Sequence, residues 1–441
     1  MDGLGGLLRL DIVHPPVTLV AWVLSAAAVV FLLARPPRRR WLLTVGIGIG
    51  SGLLAAVLTW FLTVRVFNLF GVGLGAVTYL WLAAACGAIG LALVNLWKTR
   101  PLRRSIAAVS VLLFAATGAL GINAGYGLDR TLGALLGINT LPPIALTAPT
   151  VRPSVGDERP GHASRPLWQT WTPPPGLPAT GSIGSQAIPN TLSGFVARPA
   201  GVYLPPAALV PNAPALPLVI LLMGQPGNPD PEQAAESLDR AAARHGGLAP
   251  IVVMADQLGN PAADPLCLDT ARFGKVETYL TRDVVGWASA NLNVIQDHRY
   301  WTIAGYSNGG QCAISLAAKH PDIWSNVLDI SGEVSPGSEV PTRTLNDVFG
   351  GDQAAYDAQK PVNLLAAHRL PGDFAVFTVG ALDTQFSGGQ RILAAAAQDA
   401  GITTVYREVP GADHGGSALT GGLDLGFDAL FPRLGLAPPP S

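Results

Sequence analysis

Between Pro16 and Ala124 the chain carries four apolar runs, Pro16–Ala34, Trp41–Val64, Val72–Trp97 and Ser105–Ala124, with no Asp, Glu or Lys inside them. A helix needs about 20 such residues to cross the hydrocarbon core of a bilayer, where each backbone N–H and C=O must find its partner within the chain. Four runs in succession therefore restrict the first part of the molecule to a helical membrane region. The first run is unlike a secretory leader, because its positive cluster follows the apolar stretch and three more runs come after it. Gly46, Gly48, Gly50 and Gly52, with Gly87 and Gly90, supply the small side chains that let such helices approach closely. With no acidic residue or lysine in the runs, the region reads as an anchor rather than a proton or ion path.

The loops set an orientation. Arg35, Arg38, Arg39 and Arg40 lie between the first two runs, and Lys98, Arg100, Arg103 and Arg104 between the last two, whereas only Arg65 lies between the second and third. Cationic loops stay in the cytoplasm. The expectation is a multi-pass protein of the plasma membrane, with both termini and everything after the fourth run outside the cytoplasm.

At 441 residues the chain is long enough for two units. The expected boundaries are a four-span membrane region at 1–127, a Pro-rich extracytoplasmic linker at 128–180 and a catalytic domain at 181–441. Leu141-Pro142-Pro143 and Thr172-Pro173-Pro174-Pro175 mark the stiff, extended composition of the linker. A formal charge of −1 gives no footing for nucleic acid. There is no nicotinamide fingerprint, phosphate-cradling loop or metal-ligand spacing, so neither cofactor nor metal is expected.

In the last part strands and helices alternate, the pattern of a mostly parallel sheet with helices on both faces. Strands are expected at Ser193–Arg198, Val202–Leu204, Leu218–Met223, Ile251–Ala255, Tyr300–Ile303, Val327–Glu333, Phe374–Gly380 and Thr403–Val409. Gly305-x-Ser307-x-Gly309 falls between a strand and a helix. In that setting a serine takes strained backbone angles and is pushed clear of the sheet. Ser307 is the candidate nucleophile. Asp383, in a loop after a strand, is the candidate acid, with Asp329 as an alternative, and His414 in a glycine-flanked loop is the candidate base. Asn308 offers a backbone N–H at a helix start, and Gln225, after the strand 218–223, offers a second; Pro226 has none to give. Asp256 and Asp264 follow a strand's carboxyl end, where ligands bind, and with Glu333 are candidates for a substrate ammonium; loop capping is the other reading of the two aspartates. Cys267 and Cys312 are either a disulfide, if this part faces an oxidising compartment, or two unpaired thiols. Residues 336–371 form an insert that would serve as a lid or a wall for an acyl group.

Four stretches carry a resemblance: Leu221-Leu222-Met223-Gly224-Gln225, Gly305-Tyr306-Ser307-Asn308-Gly309-Gly310, Val379-Gly380-Ala381-Leu382-Asp383 and Pro410-Gly411-Ala412-Asp413-His414. From about Gly181 onward the chain resembles the esterase branch of the α/β-hydrolases that includes S-formylglutathione-hydrolase-like esterases and secreted mycolyltransferases. It is similar to membrane-anchored actinobacterial members of that branch. The resemblance implies an α/β-hydrolase fold, with Ser307, Asp383 and His414 as triad and Gln225 and Asn308 as oxyanion donors. Met223-Gly224 stands where a His-Gly pair is common. The expected activity is an extracytoplasmic serine esterase acting on an acyl or aminoacyl ester of an envelope lipid or glycolipid. The alternatives are an acyltransferase to a sugar or lipid hydroxyl, and a non-catalytic envelope scaffold. The expected partners are a lipid-borne ester and the membrane lipids.

Overall fold

A computed structural model describes residues 2–67, 74–97, 99–127, 129–146 and 165–439. The chain divides into two compact units, Met1–Thr140 and Leu141–Ser441.

The first unit is built on α1 (Val17–Leu33), α2 (Arg39–Trp60, continued by a π-helical turn Phe61–Val66), α3 (Ala76–Asn95) and α4 (Pro101–Tyr126). Arg39–Val66, Ala76–Asn95 and Pro101–Tyr126 are long and apolar enough to cross a membrane, while α1, at 17 residues, is shorter. Many large apolar side chains face away from the bundle, Ile47 being 69% exposed and Leu112 73%, while Leu32, Leu91 and Phe114 are buried within it. The small residues meet inside it. A Cβ on Gly90 would lie 2.0 Å from the carbonyl oxygen of Gly48, and one on Gly52 would lie 2.1 Å from that of Cys86. Gly46 and Gly50 have nothing within 4 Å, so only alternate glycines of that stretch work as contacts. The carbonyls left over at the end of α1 are closed by Arg103, whose guanidinium donates to Phe31 O and Ala34 O at 3.0 Å each.

The second unit holds an eight-stranded sheet. Its strands are β1 (Ser182–Gln186), β2 (Ala200–Leu204), β3 (Leu218–Leu222), β4 (Ile251–Met254), β5 (Trp301–Tyr306), β6 (Asn326–Ile330), β7 (Phe374–Gly380) and β8 (Thr403–Val409). They lie in the order β1-β2-β4-β3-β5-β6-β7-β8; β1–β2 and β2–β4 are antiparallel and all other pairs parallel. Every residue of β3, β5 and β6 is buried, as strands covered on both faces require, the polar Thr302, Asn326 and Asp329 included. Its helices include α5 (Glu232–Arg244), α6 (Asn308–Lys319), α7 (Pro341–Phe349), α8 (Gln353–Asp357), α9 (Pro361–Ala367), α10 (Ser387–Asp399) and α11 (Gly416–Arg433). On one side α5 packs against α11; on the other, α6, α9 and α10 pack in succession. The insert at 336–371 thus contains α7, α8 and α9, and its last helix belongs to the core layer, with Leu364 and Leu365 buried.

Two local expectations are corrected. Ser193–Arg198 forms no strand, because Arg198 N–H donates to the carboxylate of Asp256 (2.6 Å) instead of to a neighbouring strand. The sheet's first strand is Ser182–Gln186, outside the expected strands. Of the Pro-rich stretch, 147–164 lies outside the described residues, but 165–180 runs along the second unit. There Trp171 Nε1–H donates to Gly246 O at 2.9 Å and Trp168 N–H to Gly435 O at 3.1 Å. Those residues are a strap on the fold rather than a free spacer.

Candidate active site

β5 delivers Ser307 to a turn that only a glycine-rich sequence can make. The serine has φ 54° and ψ −117°, a left-handed φ that costs on the order of 1–3 kcal/mol. The turn is held because Ser307 N–H donates to Ile330 O (2.8 Å) and Ser307 O accepts from Gly310 N–H (2.9 Å). A Cβ on Gly305 would sit 1.9 Å from Gly309 O, one on Gly309 2.3 Å from Leu222 O, and one on Gly310 2.4 Å from Asp329 Oδ1. Each glycine is thus required by a different neighbour.

At the far edge of the sheet β7 and β8 bring the other two groups together. Leu382 N–H donates to Ala412 O at 2.8 Å, joining the loop after β7 to the loop after β8. Asp383 accepts Phe386 N–H (3.0 Å) and Gln385 N–H (3.2 Å) on Oδ1 and faces His414 Nδ1 with Oδ2 at 2.9 Å. His414 Nε2 stands 3.0 Å from Ser307 Oγ. The imidazole is stacked between Phe386 (centroids 4.0 Å apart) and Tyr306 (5.3 Å), which fixes its plane. The Asp383 side chain is 2% exposed and that of His414 28%, so the carboxylate is shielded while the imidazole keeps an open edge. This arrangement can move a proton from Oγ to Nε2 while a carboxylate steadies the imidazolium.

Asp329, the alternative acid, lies elsewhere. It is buried beneath the turn with Oδ1 accepting Gly332 N–H at 2.9 Å, and burial pushes its carboxyl up to about 7 against the pull of Gln390 and that N–H. The loop after β3 lies alongside the serine, since a Cβ on Gly224 would come within 3.3 Å of Ser307 Cβ. Gln225 follows it, and its side chain donates to Pro261 O at 3.1 Å.

The three candidate ammonium ligands separate. Asp256 is 1% exposed and both its oxygens are taken by the Arg198 guanidinium (2.7 and 3.1 Å) and by Leu258 and Gly259 N–H, so it caps a loop and balances an arginine. It is not free to meet a substrate cation. Asp264 Oδ1 accepts from Leu266 N–H (2.8 Å) and from the Asn308 side chain (2.9 Å). Its Oδ2 is out of contact with solvent although the residue as a whole is partly exposed, and burial pushes the carboxyl up to about 6, with Glu339 adding to the rise. Glu333 is buried, held by Ser338 Oγ at 2.8 Å, and pushed well above the usual range by burial and by Glu339 beside it. Cys267 and Cys312 are joined, Sγ to Sγ at 2.05 Å, tying the loop of Asp264 to α6.

Residues 197–417, half of the chain, match the family model described as "Putative esterase". The chain belongs to that family. An uncharacterized protein of Corynebacterium glutamicum is 30% identical over 329 residues, covering 72% of this chain and 73% of its own length; that is more of this chain than the second unit alone supplies. "Putative esterase NocK" of Nocardia uniformis subsp. tsuyamanensis is 32% identical over 135 residues, 30% of this chain and 38% of that protein. Among solved structures, an S-formylglutathione hydrolase from Agrobacterium tumefaciens has 20% identity and a TM-score of 0.48, covering 58% of this chain and 97% of its own. The family makes this chain an enzyme of ester chemistry, a serine ester hydrolase or an acyltransferase, with an ester as substrate.

Sequence reasoning missed four residues at this esterase's site. Arg198 balances Asp256 from 58 positions away, and no spacing rule reaches that far. Phe386 and Tyr306 flank the imidazole, a role that no motif in the sequence assigns to them. Gln257 follows directly on Asp256 at the carboxyl end of β4, a position that could have flagged it.

Proposed function

We propose that this protein is a membrane-anchored, extracytoplasmic serine esterase that cleaves an acyl or aminoacyl ester borne on an envelope lipid or glycolipid. The observation that carries the reading is the unbroken line from Asp383 through His414 to Ser307, with contacts of 2.9 and 3.0 Å. Ser307 Oγ attacks the ester carbonyl as His414 Nε2 takes its proton. The negative charge on the former carbonyl oxygen is met by the N–H groups of Gln225 and Asn308. His414 returns the proton to the departing alcohol, then activates a water that releases the acid and restores Ser307.

The anchoring part of the reading rests on three membrane-length helices and on loop charge. The cationic loop before α4 keeps that end of the helix in the cytoplasm, so the catalytic unit emerges outside whether or not the shorter α1 spans. A tethered enzyme meets a lipid-borne ester at high local concentration.

The test is product analysis with the full chain in vesicles bearing a lipid ester, with and without an added alcohol. Free acid in both cases supports hydrolysis, and an ester of the added alcohol makes the protein a transferase. Turnover undiminished in Ser307→Ala would overturn the reading, and no turnover of any ester by the parent would leave a scaffold.

A further inference from the structure

An oxyanion site built from two loops has a positioning problem. One donor, Gln225 N–H, follows β3, and the other, Asn308 N–H, opens α6. The ladder between β3 and β5 ends at the pair Leu222–Gly305, short of both. Both donors must point at one oxygen from about 3 Å, and a misplacement near 1 Å costs about 100-fold in rate.

Three polar side chains cross this gap beneath the site. Gln257, 2% exposed, donates its Nε2–H to Met223 O, two residues before Gln225, and lies 3.4 Å from Asn308 Oδ1. Asn308, 1% exposed, donates Nδ2–H to Asp264 Oδ1 at 2.9 Å. Asp264 in turn caps its own loop through Leu266 N–H at 2.8 Å. Leu266 and Cys267 both have left-handed φ (64° and 53°), so this loop is bent against its preference and needs holding. The disulfide from Cys267 to Cys312 grips α6 one turn beyond Asn308, and Cys312 Sγ lies 4.0 Å from Asn308 Oδ1. Buried amides are costly unless paired, and here each pair joins segments that come from different strands.

We propose that Gln257, Asn308 and Asp264 form a brace that fixes the distance between the two oxyanion donors. It makes Gln257 and Asp264 positioning residues, acting through Met223 O and the Asn308 side chain without touching substrate. The inference rests on Ser307 as nucleophile and on Gln225 and Asn308 as donors. The brace predicts a loss confined to steps in which negative charge develops on oxygen, so kcat falls while substrate binding stays.

The experiment compares Gln257→Met, of similar volume but unable to donate, with Asp264→Ala and Asp264→Asn in the full chain. Steady-state kinetics on a soluble p-nitrophenyl ester are read beside the affinity of a trifluoromethyl ketone, whose adduct carries the oxyanion. Gln257→Met and Asp264→Ala should each lower kcat by about 10- to 100-fold with KM within about twofold, and weaken the ketone in parallel. Asp264→Asn keeps an acceptor oxygen for Asn308 and should recover most of that loss. Unchanged kcat in either folded variant, or a raised KM at constant kcat, overturns the brace. Thermal melting identifies the folded variants, and Asp264→Ala, at a partly exposed loop position, serves if Gln257→Met does not fold. Ser307→Ala run alongside separates the two failures: if it stays active, the reading of the site is wrong, whereas if it alone is dead, only the brace is.

Discussion

In the first unit many large apolar side chains point outward and glycines meet inside beside a small apolar cluster of Leu32, Leu91 and Phe114, while in the second the large ones fill the centre and the surface is charged. Both units nevertheless use glycine for close approach. Gly48, Gly52 and Gly90 strip side chains away so that two helices touch along their backbones. Gly305, Gly309 and Gly310 strip them away so that a single turn can fold under its own helix. The difference lies in what the contact has to do. Helices of this length and apolarity would find little hydrophobic drive for one another in lipid, where close packing itself would hold them. In the catalytic unit burial already holds the sheet, and the glycines allow a strained serine to be presented at its edge.

Asp383→Asn should produce the largest effect. By leaving His414 in the wrong tautomer it should lower kcat by about 10³- to 10⁴-fold, measured on a soluble ester, with melting unchanged. Gly305→Ala places a methyl against Gly309 O and should destabilise the catalytic unit by about 3 kcal/mol or more, abolishing activity. Its counterpart Gly90→Ala should loosen the helical bundle, read by differential scanning fluorimetry in detergent, and spare hydrolysis of a soluble ester. Gly50→Ala should change neither, and a clear effect there would break the distinction between contact and outward-facing glycines.

Replacing Cys267 and Cys312 by Ser opens a 45-residue separation and should cost the catalytic unit about 2–4 kcal/mol, with no change in bundle melting. The smallest effect concerns pH. Burial raises the carboxyl of Asp329 from 3.8 to about 7, so the folded state holds a proton that the unfolded state has already lost. Its contribution is therefore full below about pH 4 and fades as pH rises through 7. Asp329→Asn should flatten that slope and raise the melting temperature at pH 8 by a few degrees. A steeper slope in the variant would contradict the assignment.

The order of strands and helices was legible because buried strands are continuous apolar runs and the glycines around Ser307 mark a turn nothing else makes. Chain order also put Asp383 ahead of Asp329 as the acid, and the structure brings Asp383, not Asp329, to His414. What stayed hidden depends on distant partners. The place of Asp256 is set by Arg198, and that of Asp264 by Asn308, neither of which spacing can reveal. Proline content was also misleading at 165–180, because a proline-rich strap and a proline-rich spacer have the same composition.

The most direct test of the account is where a fluorophosphonate bonds to the purified full-length protein, read by mass spectrometry of the peptides. The account predicts a single adduct on Ser307, lost in Ser307→Ala and strongly slowed in His414→Ala. An adduct on another serine, or equal labelling of parent and Ser307→Ala, would contradict it.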